Sequence, residues 1–195
     1  MIPFSPPPEP EHFDAKARQP GNEWLAKNPQ AKRPKDYWSE FRNDLADGFK
    51  NICAYSVMYL SDGTVDHYLS CKNYRHLAYE WSNYRYAAQW INSSKRTLDE
   101  EILDPFQVGD DWFKILLPSL QLVVTDKVPL SERKRAEFTL QRLHLQDDER
   151  VIRQRQAWYQ LYLDGDLTLT GLEKKAPLIA RAVRKQQQSN KAENQ

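Results

Sequence analysis

Trp38, Phe41, Leu45 and Phe49 recur at three- and four-residue spacing, which predicts a short helix over residues 36–50, with Asp36 able to cap its start. Residues 52–60 alternate poorly but are rich in β-formers (Ile52, Tyr55, Val57, Tyr59). Ser61-Asp62-Gly63 follows as a turn, and Thr64 to Leu69 reads as a second strand, so the pattern predicts a hairpin. Residues 70–82 show no period and are expected to be loop, 83–87 a further short strand, and Trp90 to Arg96 a short helix. The apolar runs 112–117 and 120–125, split by Pro118-Ser119, read as strands. After Pro129 the signals turn helical. Ser131 can cap a helix carrying Ala136, Leu140 and Leu143; Asp147 or Asp148 can cap the next, with Val151, Arg155, Trp158 and Tyr162 on one face and Gly165 at its end. A last helix is expected over about residues 172–186, interrupted or restarted at Pro177.

The polar and proline-rich stretches divide the chain. Eight of the twelve prolines lie in residues 1–34, which predicts an extended arm with little regular structure. Residues 35–105 form the central unit, 106–186 a mainly helical part, and the Gln/Asn/Lys-rich 187–195 a disordered tail. No internal repeat is evident.

The 195 residues suffice for one domain, or a small domain with a helical appendage. Hydrophobic residues make up 40% and charged ones 28%, with mean hydropathy −0.81, which fits a soluble chain that still buries a core. No apolar run is long enough for a membrane span, and the first residues lack the basic and apolar regions of a secretory signal. Two cysteines, Cys53 and Cys71, exclude a disulfide framework and an all-cysteine zinc site, so a cytoplasmic location is expected. The net charge of +1 gives no global reason to bind a polyanion, so any such surface must be local. Residues 66–96 supply one candidate, with Lys72, Arg75, Arg85, Lys95 and Arg96 against Asp66 and Glu80. Seven of the ten tyrosines lie in 55–86; most are expected in a small core, leaving the basic side chains toward solvent. Arg150, Arg153 and Arg155, offset by Asp147, Asp148 and Glu149, read as a solvated helix face.

Among four histidines, His67 stands out because it follows Asp66 near the end of a predicted strand. Consecutive strand side chains point to opposite faces, so the two are not assumed to share a task. A carboxylate that holds a hard cation beside an imidazole that takes a proton from water is one division of labour. Asn83 follows after fifteen intervening residues and Asn92 after eight more. Taken alone, both asparagines are also natural turn or cap residues.

The phrases Val65-Asp66-His67, Trp81-Ser82-Asn83 and Asn92-Ser93-Ser94-Lys95 at these distances resemble the HNH endonucleases, of the ββα-metal nuclease fold, in an HNN variant with asparagine in the last position. The resemblance covers about residues 53–96. It implies an α+β fold with a small ββα-metal core. It implies Asp66 and Asn92 as ligands of one divalent metal ion, His67 as general base, Asn83 holding the imidazole and its loop, and Lys95 near a phosphate. Oxygen ligands favour Mg²⁺ or Mn²⁺, and the substrate implied is DNA.

Many HNH domains carry two Cys-x-x-Cys knuckles around a structural zinc. Here the corresponding stretches read Cys53-Ala54-Tyr55-Ser56 and Ala88-Gln89-Trp90-Ile91, so no structural zinc is expected and packing by Tyr55, Trp90 and Ile91 is expected instead. The layout of arm, core and helical part, with the phrase Ala136 to Leu145, also resembles the HNH proteins of Septu-type and retron-linked anti-phage systems. That resemblance implies a regulatory ATPase partner. The competing expectations are a catalytically degenerate HNH-shaped module that binds nucleic acid or a partner, and a purely structural adaptor.

Overall fold

The computed structural model describes residues 1–193. It is an α+β chain with two small antiparallel sheets and a helical C-terminal part. Among the described residues no helix is long and apolar enough to cross a membrane.

The N-terminal arm differs from expectation. Residues before Phe13 are irregular, but a π-helical turn over Asp14–Arg18 runs into helix α1, Gln19–Lys27. The proline and glycine that read as punctuation serve the helix instead. Pro20 lies in the first turn of α1, where its missing N–H costs least. Phe13, Ala17 and Gly21, four residues apart, are all buried. A β-carbon at Gly21 would fall 2.4 Å from the Tyr79 ring, so the closeness of helix and ring requires glycine. The arm is tied to the central unit. The Phe4 N–H donates to Pro105 O at 3.1 Å and the Trp81 indole to Pro7 O at 3.0 Å.

Asp36 accepts from the Ser39 N–H and hydroxyl at 2.9 and 2.6 Å, starting a 3₁₀ turn (Ser39–Phe41) that continues as α2, Arg42–Gly48. Phe41, Leu45 and Phe49 point into the core, as their spacing predicts. Residues 52–60 do not form a strand. Ile52, Cys53, Tyr55, Val57 and Met58 are all buried, with a single bridge between Ile52 and Tyr59. The hairpin through Asp62-Gly63 is therefore absent. Gly63 answers to a close approach: its N–H donates to the Tyr86 hydroxyl at 2.8 Å, and a β-carbon there would meet that ring at 2.4 Å.

Strand β1, Thr64–His67, pairs antiparallel with β2, Tyr84–Ala87, across the loop between them. Asp66 stands opposite Arg85, and His67 opposite Tyr84. Helix α3, Gln89–Lys95, follows β2 and packs on β1. Strands β3, Phe113–Ile115, and β4, Leu122–Val124, form the second sheet. Helices α4 (Leu130–Arg142), α5 (Glu149–Leu163), α6 (Leu169–Lys175) and α7 (Pro177–Glu193) complete the chain. Asp148 and Thr168 cap α5 and α6, and Gly165 takes a left-handed φ of 82° just past α5. Most of the tail expected to be disordered, 187–193, continues α7; residues 194 and 195 lie outside the described part.

One hydrophobic core runs from Met1 and Phe13 through Tyr55 and Ile91 to Leu140, Val151 and Val183, so arm, central unit and helical part share one interior. Arg155 belongs to it. It was expected on a solvated face with Arg150 and Arg153, yet it is buried and donates to three backbone carbonyls, of Leu120, Leu145 and Gln146, at 2.6–3.0 Å. Burial without a carboxylate lowers its pKa to about 10.

Candidate functional site

The pleat of β1 separates Asp66 from His67. Asp66 points inward, 1% exposed, into a pocket built by residues far from it in sequence. Its Oδ2 accepts from the Tyr55 hydroxyl at 2.7 Å. Its Oδ1 lies 3.1 Å from the Lys95 ammonium, itself wholly buried at the end of α3. Lys95 Nζ also donates to the His67 backbone oxygen at 2.6 Å. The ammonium is thus gripped by a carboxylate oxygen and a carbonyl oxygen, a donor set of the kind hard cations prefer. Burial, with the Asp66 charge beside it, pushes the Tyr55 phenol well above its usual range, so it stays a donor.

His67 is half-buried on the other face. Trp38 packs edge-on against its ring at 4.6 Å and Tyr84 at 4.9 Å. Its Nε2 lies 2.8 Å from Ala78 O. A carbonyl only accepts, so Nε2 carries the proton and, in the neutral ring, Nδ1 carries the lone pair. Burial lowers the His67 pKa, against smaller opposing effects of the Ala78 carbonyl and the Asp66 charge. The ring is therefore neutral at pH 7, the state a general base needs.

Asn83 holds the loop but not the imidazole. Its Oδ1 accepts from the Leu69 N–H at 2.8 Å, and its Nδ2 donates to Leu69 O at 2.9 Å and Leu77 O at 3.2 Å. The contact with the imidazole falls to Ala78, one residue past Leu77. Asn92 ties α3 to β1: its Nδ2 donates to Val65 O at 3.3 Å. Asp66, His67, Asn83 and Asn92 thus belong to one strand–strand–helix unit, but the hydrogen bond and ion pair of the Asp66 carboxylate go to Tyr55 and Lys95 and the hydrogen bond of the Asn92 amide to Val65 O, not to each other.

The basic set is redistributed. Arg85 is buried and forms a two-pronged ion pair with Asp104 at 2.8 and 2.7 Å, its guanidinium 3.5 Å over the Phe106 ring. Its Nη1 donates to Ser82 O and Tyr84 O, and with 3% of its side chain exposed the guanidinium serves the interior and not a phosphate. Arg75 clamps the arm through Asn28 O and Ala31 O, both at 2.7 Å. Lys95, expected near a phosphate, is held inside by Asp66. Lys72 and Arg96 remain exposed. The tyrosines pack largely as expected, with Tyr55, Tyr68, Tyr79, Tyr84 and Tyr86 buried; Ile91 is in the core as expected, but Trp90 is only partly buried, with the Arg150 guanidinium 5.1 Å over its ring.

The sequence reading missed three participants. Tyr55 was placed on a strand and as packing, not as a donor to Asp66. Trp38 was read as a core-facing helix residue, not as a cover for His67. Asp104 carried no signal at all, since nothing in the chain text links it to Arg85. Comparison with known protein families, with curated proteins and with solved structures gives no match for this chain.

Proposed function

We propose that this protein is a metal-dependent nuclease of the HNH type that hydrolyses DNA phosphodiester bonds with His67 as general base. One observation carries the reading: an imidazole fixed by a backbone carbonyl so that Nδ1 holds the lone pair, next in sequence to a carboxylate on the opposite face of β1, in a strand–strand–helix unit. His67 Nδ1 would take the proton of the attacking water. The Ala78 carbonyl keeps the ring in the tautomer that permits this, and Asn83 holds the loop from which that carbonyl projects. Trp38 and Tyr84 shield the ring and keep it uncharged. Asp66 and Asn92 would hold a Mg²⁺ or Mn²⁺ ion, whose donor chemistry is that of the oxygen pair now gripping the Lys95 ammonium. Such an ion stabilises negative charge developing on the phosphate. Lys72 and Arg96 are the exposed cations of the motif left for the DNA backbone. By the layout of arm, core and helical part, the protein would act in anti-phage defence under a regulatory ATPase partner.

The test is nicking of supercoiled plasmid with Mg²⁺ or Mn²⁺, by the protein alone and then with any neighbouring ATPase. His67→Ala should lower the rate by about 10²–10⁴-fold, the usual worth of a general base. Normal nicking by folded His67→Ala protein would refute the assignment. The sealing of Asp66 by Lys95 and Tyr55 favours a second reading, a ββα-shaped module that binds without cutting. That reading requires no nicking under either condition.

A further inference from the structure

We infer that the Lys95 ammonium and a divalent cation compete for one place, and that Lys95 holds the site closed until the cation displaces it; this rests on the nuclease reading above. Lys95 stands where a cation would stand. Its Nζ touches Asp66 Oδ1 at 3.1 Å and the carbonyl oxygen of His67 at 2.6 Å, bridging the two residues the reaction needs. Lys95 and Asp66 are 0% and 1% exposed, so a dication on Asp66 would lie beside the ammonium with no water to screen the repulsion. Seating one cation therefore expels the other, and the coupling is reciprocal: the metal loosens Lys95 as much as Lys95 weakens the metal.

The anatomy permits the exchange. Lys95 is the last residue of α3, and Arg96 after it takes a left-handed φ of 52°, so the helix ends at the lysine. A four-carbon stem at a helix end can swing without unwinding the turns that carry Asn92. Tyr55 stays on Oδ2 throughout, because its hydroxyl grips the oxygen that Lys95 does not use. Lys95 is thus a positioning residue that sets when Asp66 becomes available, and not a phosphate contact.

The experiment measures Mn²⁺ binding to the full chain by titration calorimetry, with no DNA present. Lys95→Gln keeps a hydrogen-bond donor but removes the charge. It should bind Mn²⁺ at least tenfold more tightly than wild type, and adding Asp66→Asn should abolish the binding. Equal or weaker binding by folded Lys95→Gln overturns the inference. If Asp66→Asn alone still removes wild-type binding, the nuclease reading survives that result. Absence of Asp66-dependent Mn²⁺ binding in both wild type and Lys95→Gln removes both. Should Lys95→Gln fail to fold, the wild type decides. Acetylation of Lys95 by an amine-reactive reagent, read by mass spectrometry, should rise several-fold at saturating Mn²⁺. Unchanged labelling overturns the inference.

Discussion

Asn83→Ala tests how the candidate site is held. The asparagine closes residues 69–77 into a loop by accepting one hydrogen bond and donating two, at 2.8, 2.9 and 3.2 Å. Each is worth about 1 kcal/mol net, and a stranded buried partner adds a desolvation cost of about 1–3 kcal/mol. Leu69 N–H loses its acceptor. The expected loss of stability is therefore about 2–4 kcal/mol, read as a shifted urea midpoint with unchanged slope. Asn83→Asp is the sharper variant. It keeps the acceptor for Leu69 N–H but turns an anionic oxygen toward Leu69 O and Leu77 O, where donors stood. Aspartate should be at least as damaging as alanine. Faster hydrogen exchange should be confined to the loop around Leu69–Ala78, and nicking should fall because Ala78 O no longer fixes the His67 tautomer. A cost under about 1 kcal/mol for alanine, or a better tolerated aspartate, refutes the reasoning.

Arg85→Met should cost about 3–5 kcal/mol in urea denaturation, because it leaves the Asp104 charge buried and unpaired, whereas Arg85→Met with Asp104→Leu should recover most of that loss; equal destabilisation by the single and double variants would count against the pairing. For His67, the folded pKa is depressed below the unfolded value of about 6.5, so the unfolded chain binds more protons between the two. Stability should be constant above that unfolded value and fall as pH drops toward the folded one. Melting temperatures at pH 7.5 and 5 should drop further in wild type than in His67→Phe; parallel drops would mean that the ring's burial has no such consequence.

The sequence made local signals legible and hid non-local ones. Helices α2, α4 and α5 follow from apolar spacing, and β3 and β4 from apolar runs separated by proline; Asp148 caps α5 and Asp36 the turn before α2, but α4 starts at Leu130 behind Pro129, so Ser131 lies inside the helix it was expected to cap. Helix α1 was obscured because Pro20 and Gly21 carry breaker signals, although Pro20 suits a first helical turn and Gly21 the close approach of the Tyr79 ring. The hairpin was misread for a related reason. Asp62-Gly63 is a local turn signal, but Thr64–His67 gains more by pairing with a strand seventeen or more residues away that buries both faces. The candidate residues were visible by type and spacing, yet the fates of the charges were not. Lysine and arginine read as surface by default, and Arg85 finds its carboxylate nineteen residues along the chain.

The pleat of β1 gives the two halves of the candidate site different covers, and this constrains any activity. Asp66 is neutralised from within by α3 and Tyr55. His67 is covered from without by Trp38, which follows a segment pinned by Arg75 at Asn28 and Ala31 and by the Tyr79 hydroxyl at Lys35. On the proposed nuclease reading, proton transfer at Nδ1 would take place beneath Trp38, and cation exchange at Asp66 would take place at the helix end. The two events involve separate segments joined by one hydrogen bond, from Lys95 Nζ to the His67 carbonyl at 2.6 Å, so releasing Lys95 should be felt at His67. Residues 28–38 and Lys95 thus belong to the site as fully as the Asp-His pair, although one is remote in sequence and the other was expected to face solvent.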